Sequence, residues 1–392
     1  MRQKIKNPGN IIVIGICLEI LFMFANRNEY FQLSGWYYPL IISVLAGVLP
    51  VTNNVHRIKK FSVLALLFLL LICCSAIVNI NMINSGYALS YALSLVILFI
   101  FSELDFEKKQ LDRIAICYGI SGLIITFSIL FFRVRYYELT TSRLTIQFLG
   151  GPKIDPNYLG GYLVSAATIS IAYSMIADSK KIKLFFILSY LISTFGTLLT
   201  GSRGALIALI IVTFFFILDR SRKSAISFLV IVAFLIIGYL FIHRYLSSDT
   251  LTRLSNISEW LSDGSNVRRF SLWKNAWNSI RKSPILGYGM AGTKEINEYA
   301  GNIGQPAHCT YLEMWCQLGI FSLVILLLMA ISIFKYKNKT SFLILLATFI
   351  PAIFISAECG FCFFFNIAFS YSICELQLHE KEKINETQMD SV

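Results

Sequence analysis

The chain holds 392 residues, 56% of them hydrophobic and only 14% charged, with 34 lysines and arginines against 22 aspartates and glutamates. Ordinary soluble domains carry about a quarter charged residues, so the composition excludes a soluble enzyme and predicts many apolar stretches of bilayer-spanning length. The net charge of +12 admits nucleic acid, anionic lipid or topology signals as its cause, and its placement decides among them.

In chain order, apolar runs fall near residues 10–25, 36–51, 61–79, 86–101, 114–132, 159–177, 182–199, 204–218, 226–242, 311–334, 342–356 and 360–374. They predict an all-α polytopic membrane protein of about twelve transmembrane helices, about ten if the last pair forms one re-entrant hairpin around Glu358. The first run follows a basic start, but Asn26-Arg27-Asn28-Glu29 offers no small-residue cleavage site, so it reads as a retained span. The expected organisation is residues 1–242 with helices 1 to 9, a large outside loop at 243–307 with an amphipathic helix, residues 308–376 with helices 10 to 12, and a cytoplasmic tail at 377–392.

Alternation from an inside N-terminus gathers 20 of the 34 basic residues into seven cytoplasmic segments, typified by Arg57, Lys59 and Lys60 or by Lys180, Lys181 and Lys183. Eight more fall in the long loop, which the positive-inside rule exempts, and six remain in short outside segments. Most of the basic excess is therefore topology, and nucleic acid is not indicated. The exceptions carry the interest: Arg133, Arg135, Arg143 and Lys153 crowd one outside segment, and Arg203 stands in the tight turn Thr200-Gly201-Ser202-Arg203-Gly204. Guanidinium binds phosphate in bidentate fashion, while contact with lipid headgroups, snorkelling, or pairing with Glu138 or Asp155 is the plainer reading, favoured for Arg133 and Arg135.

The loop at 243–307 contains Trp260, Trp273, Trp277, Tyr288 and Tyr299, which argue for order. Residues 267–282 have helical periodicity, with Arg269, Trp273, Trp277 and Arg281 on one stripe and Arg268, Leu272, Ala276 and Ile280 beside it. Ser283-Pro284 stops that helix, and Gly287, Gly289 and Gly292 supply a turn. Such a basic, aromatic face suits either a phosphate-bearing lipid-linked sugar or a membrane surface. Of the four histidines, only His308 is predicted at the outside mouth of a span after this loop, where an imidazole can accept a proton. Cys309 beside it does not make a Cys/His pair, because neighbouring helical positions diverge. The nine cysteines have no framework spacing, and Cys359-x-x-Cys362 lacks a second ligand pair, so no metal is expected.

Taken in order, Asp155-Pro156-Asn157-Tyr158, Thr200-Gly201-Ser202-Arg203-Gly204-Ala205-Leu206, Arg269 to Trp273 leading to Ser283-Pro284-Ile285-Leu286-Gly287-Tyr288-Gly289, and Ala307-His308-Cys309-Thr310-Tyr311-Leu312 with Leu318-Gly319-Ile320 resemble the O-antigen ligase and O-antigen polymerase superfamily. The motifs cover roughly residues 143–321, and their order on such a layout is more specific than any one of them. Two departures stand out: Cys309 replaces the usual Asn after the His, and Gln317 stands where many members have Glu.

The resemblance implies a C-type glycosyltransferase in the bacterial inner membrane, its active site facing the periplasm. It would use an undecaprenyl-diphosphate-linked oligosaccharide, with no nucleotide sugar, cofactor or obligatory metal. Carried over position by position, Arg203 and Arg269 would hold the diphosphate and His308 would be the base. Arg268, Arg143, Arg133, Arg135, Asn157, Trp273 and Trp277 are further candidates for substrate contact, with Glu295, Glu298 and Glu313 as alternative proton acceptors. The leading expectation is a repeat-unit polymerase of the lipopolysaccharide or polysaccharide pathway, with an acceptor glycan, membrane lipid and a chain-length regulator as candidate partners. The alternatives are a ligase to the lipid A core, an O-oligosaccharyltransferase to protein, or, from a different class, a flippase. A flippase fits less well because the long loop has no counterpart in an inverted repeat.

Overall fold

The computed structural model describes residues 10–22, 58–138, 141–147, 153–220, 264–357 and 361–389. The apolar runs at 36–51 and 226–242, the loop stretch 243–263, and with them His56, His243 and Trp260, lie outside the described residues, as do Glu358 and Cys359. The first half comprises helices α1 (Asn10–Phe22), α2 (Lys60–Val78), α3 (Ser85–Glu103), α4 (Lys108–Phe131), α5 (Pro156–Ile176), α6 (Lys180–Leu199) and α7 (Arg203–Arg220). The second comprises α8 (Gly264–Lys282), α9 (Thr293–Tyr299), α10 (Thr310–Leu318), α11 (Ile320–Phe334), α12 (Lys339–Phe349) and α13 (Phe361–Met389). Helices α2 to α6 are long and apolar enough to cross a membrane, while α1, α7, α11 and α12 are shorter apolar helices. The molecule is thus mostly helical with candidate spans, as an all-α membrane protein requires.

One departure from all-α is an antiparallel hairpin, β1 (Arg133–Glu138) with β2 (Thr141–Ile146), in a register that pairs Arg133 with Ile146 and Tyr136 with Arg143. Its β-branched and aromatic residues suit a short pleated ribbon.

Helix α5 is buried along nearly its whole length and packs against α4, α6, α7 and α12. Its Gly160, Ser165, Ala166, Ala167, Ser170 and Ala172 let neighbouring backbones approach closely, the usual means of helix association where lipid removes the hydrophobic drive. Asp155 caps its N-terminus, accepting the Asn157 N–H at 2.7 Å, with Pro156 in the first turn.

Two expected spans are interrupted. The run at 311–334 forms α10 and α11, broken at Gly319, whose φ of 73° is left-handed and whose absent Cβ would lie 1.8 Å from the Ile285 carbonyl oxygen. Only glycine fits there. The run at 342–356 forms α12 and then a 3-10 turn at Pro351–Ile353, because proline ends the helical ladder. Residues 354–357 continue without helix.

Two groups of polar contacts tie segments together, besides buried inter-helix bonds such as that of Tyr118 to Asn366. At one end of the bundle the Lys59 ammonium lies 2.9 Å from Asp105 and 3.6 Å from Glu375, Tyr336 donates to Glu375 at 2.7 Å, and Lys108 pairs with Asp178. These belong to the segments that the lysine alternation groups together. At the other end, Asn84 N–H reaches the Met290 carbonyl, Ser75 donates to the Gln317 carbonyl at 2.9 Å, and the 200–203 turn, α8 to α10 and residues 354–357 assemble. Helices α8, α9 and α10 share a small core of Ala276, Ile280, Tyr288, Ile296, Ala300 and Cys316.

Candidate active site

Four stretches far apart in sequence meet at that second end. The turn between α6 and α7 is held by Ser202, which receives the Ala205 N–H at 3.4 Å as an N-cap and donates to Asn157 Oδ1 at 3.0 Å. The same Asn157 oxygen accepts Arg143 Nη1 at 3.0 Å. Arg143 is 1% exposed, and its other terminal nitrogen stands 4.0 Å from Asp155. The hairpin, the start of α5 and the turn are therefore one braced unit, and Arg203 follows it as the buried first residue of α7.

Phe354 supplies the next link. Its ring fills the space where a side chain on Gly204 would be, within 2.6 Å of a Cβ built there. The Arg269 guanidinium carbon lies over the same ring, 5.9 Å from its centre. A cation over an aromatic face is favoured by the ring quadrupole, by about 0.5–1 kcal/mol where exposed and more where dry. One aromatic side chain thus touches Arg269 and the backbone next to Arg203.

The residues after Phe354 tie in the start of α10. The Ile355 carbonyl accepts both the N–H of Thr310 at 3.0 Å and its hydroxyl at 2.7 Å, and Ala357 N–H returns to Thr310 Oγ1 at 2.9 Å. Ser356 donates to Glu313 Oε1 at 2.8 Å, and that oxygen also accepts the His308 backbone N–H at 2.8 Å. Arg203, Arg269 and His308 are so brought to one short coil. That coil was invisible in the sequence, buried in an apolar run, although Pro351 marked where its helix had to stop.

The Ser283-Pro284-Ile285-Leu286-Gly287-Tyr288-Gly289 stretch closes the far end of α10. Tyr288 N–H bonds the Cys316 carbonyl at 2.8 Å, Gly289 N–H bonds the Gln317 carbonyl at 3.0 Å, and Ile320 N–H bonds the Pro284 carbonyl at 3.0 Å. Carbonyls that a helix end leaves unpaired are satisfied in this way. Trp315 reinforces the join, its indole N–H reaching the Pro284 carbonyl at 2.8 Å. Burial holds the Tyr288 phenol above its ordinary pKa.

The remaining candidates spread around this centre. Helix α8 turns as it advances, because a four-residue step overshoots a full turn by about 40°. Arg269 accordingly faces Phe354, Trp273 is half-buried against Phe270 at 5.7 Å, and Trp277 is exposed beside Trp315 at 5.4 Å. Arg268 is exposed and 3.5 Å from the Gln305 side chain. Arg135 is exposed on the hairpin, its carbonyl accepting Lys153 at 2.7 Å, and Arg133 opens the first strand. Glu295 and Glu298 are exposed on α9, whereas Glu313 is 1% exposed at the centre.

Two features lie elsewhere. Asp105, Glu375 and His379 gather their ligand atoms within 4.8 Å, but at the opposite end, where the Lys59 ammonium is bound to the two carboxylates. An apolar hollow lined by Met175, Phe215, Phe342 and Leu343 opens beside Lys339, also away from the arginines.

A family model described as O-Antigen ligase matches residues 188–327, a stretch that includes Arg203, Arg269 and His308. An uncharacterized protein of Haemophilus influenzae is 24% identical over 274 residues, 63% of this chain, and the chain spans 65% of that relative's length. Over residues 188–327 the chain is thus similar to the O-antigen ligase family.

Proposed function

We propose that the protein is a repeat-unit polymerase of the inner membrane, joining undecaprenyl-diphosphate-linked oligosaccharides at the periplasmic face. The observation that carries this reading is the convergence of Arg203, Arg269 and His308 on residues 354–356, through Phe354, Ile355 and Ser356.

In the proposed step, an acceptor sugar hydroxyl attacks the anomeric carbon of the donor. The new carbon–oxygen bond forms as the bond to diphosphate breaks, and the electron pair leaves with the diphosphate. Arg203 and Arg269 stabilise that growing negative charge, and the N-terminus of α7 adds its positive end. His308 takes the hydroxyl proton, attack comes from the face opposite the leaving group, and the configuration at the transferred carbon inverts. The step calls on no metal and no covalent enzyme intermediate.

The description of the matched family favours one second reading, a ligase that passes finished glycan to the lipid A core. Purified protein in vesicles with lipid-linked repeat units separates the two. A ladder of chain lengths supports polymerisation, a single transfer to added core lipid supports ligation, and lipid movement without bond formation defeats both.

A further inference from the structure

His308 is a non-glycine residue with a left-handed backbone, φ 51°, a state shared among the described residues only with Lys337. Lys337 lies in the turn between α11 and α12, where such geometry reverses the chain. His308 instead precedes the extended Cys309, the N-cap of α10, which makes no side-chain capping bond. Glu313 takes over, and it does so out of register. In a capping box the third helical residue returns to the N–H of the cap itself, whereas Glu313 is the fourth residue of α10 and bonds the N–H one position earlier, at His308.

A carboxylate that only capped a helix would stay solvated at low cost. Glu313 is 1% exposed, and burying a carboxylate is costly unless it is hydrogen-bonded. Its Oε1 receives two donors, His308 N–H and Ser356 Oγ, each at 2.8 Å. Ser356 belongs to the coil whose Phe354 carries Arg269. Left-handed residues held by their surroundings concentrate at functional sites.

We propose that Glu313 and Ser356 are positioning residues, fixing the left-handed backbone of His308 and with it the direction of the imidazole relative to the arginines. This rests on the reading of His308 as the proton acceptor. The role needs an acceptor oxygen at position 313 and assigns no proton transfer to the carboxylate.

The test uses the full chain in vesicles, with undecaprenyl-diphosphate-linked oligosaccharide isolated from the host's own membranes as donor. Glu313→Leu should lower kcat about 10- to 100-fold with KM for donor within about twofold, since an angstrom-scale misplacement costs about that much. Glu313→Gln, which keeps an acceptor oxygen, should recover to within about threefold of wild type, and Glu313→Leu should add no loss in a His308→Ala background. A Gln variant as slow as the Leu variant, or an equal further loss without His308, overturns the positioning role. Should Glu313→Leu not accumulate, Ser356→Ala decides: kcat several-fold lower at unchanged KM supports the inference, and wild-type kcat refutes it. If His308→Ala stays active while Glu313→Leu does not, the reading of His308 fails. If His308→Ala is inactive and Glu313→Leu is normal, only the positioning inference fails.

Discussion

The guanidinium of Arg269 lies over the ring of Phe354, 5.9 Å from its centre, on a side chain that also packs against Gly204 next to Arg203. The ring quadrupole attracts the guanidinium without taking up its N–H donors, so the contact fixes where Arg269 lies. Phe354→Leu should therefore keep the fold but lower kcat about tenfold, because leucine fills the space and loses the cation–π contact. Wild-type kcat at equal protein level would reduce Phe354 to packing.

If Arg203 and Arg269 clamp diphosphate with planar paired bonds, lysine cannot replace them. Arg203→Lys and Arg269→Lys should each lose at least about tenfold in transfer rate although charge is kept, while Arg281→Lys on the exposed end of α8 should be tolerated. Near-normal glycan chains from either clamp variant would assign those arginines a structural role.

Arg143 is expected to behave differently. Its guanidinium is buried against Asn157 and Asp155 and braces the turn through Ser202. Arg143→Ala should lower thermal stability, by about 1–3 kcal/mol for the polar partners it leaves short of a donor, but the protein that does fold should lose less activity than Arg203→Lys. Thermal midpoints in detergent, read beside specific activity, separate the two effects.

How much of this was legible in sequence varied with the physics. Charges crossing a bilayer are costly wherever they occur, so lysine placement groups segment ends from sequence alone, and among them Lys59, Asp105 and Glu375 meet. The helix at 267–282 and its stop at Ser283-Pro284 followed from local periodicity and proline. The break at Gly319 did not, since a glycine in an apolar run becomes a break only when Ile285 closes on it. Phe354, Ser356 and the buried role of Glu313 were missed for the same reason: their meaning comes from contacts more than 40 residues away in sequence. The hairpin at 133–146 read only as a basic segment, because its strand signal is short and interrupted by charge.

Orientation in the membrane can be read with reporters. The lysine bias predicts that a tag at Gly264 reads outside and tags at Lys180 and after Met389 read inside. A cytoplasmic Gly264 would put the arginines and His308 on the wrong face for a flipped lipid-linked donor.

The most direct measurement compares His308→Ala with wild type in the reconstituted transfer assay, alongside donor binding. Loss of a general base costs about 10²- to 10⁴-fold, whereas a lost surface hydrogen bond costs about 1 kcal/mol of stability and little rate. The account predicts normal membrane insertion and donor binding, a transfer rate at least about 100-fold lower, and a wild-type rate that declines as pH falls and the imidazole becomes protonated. An alanine variant that keeps more than about a tenth of the wild-type rate would contradict it.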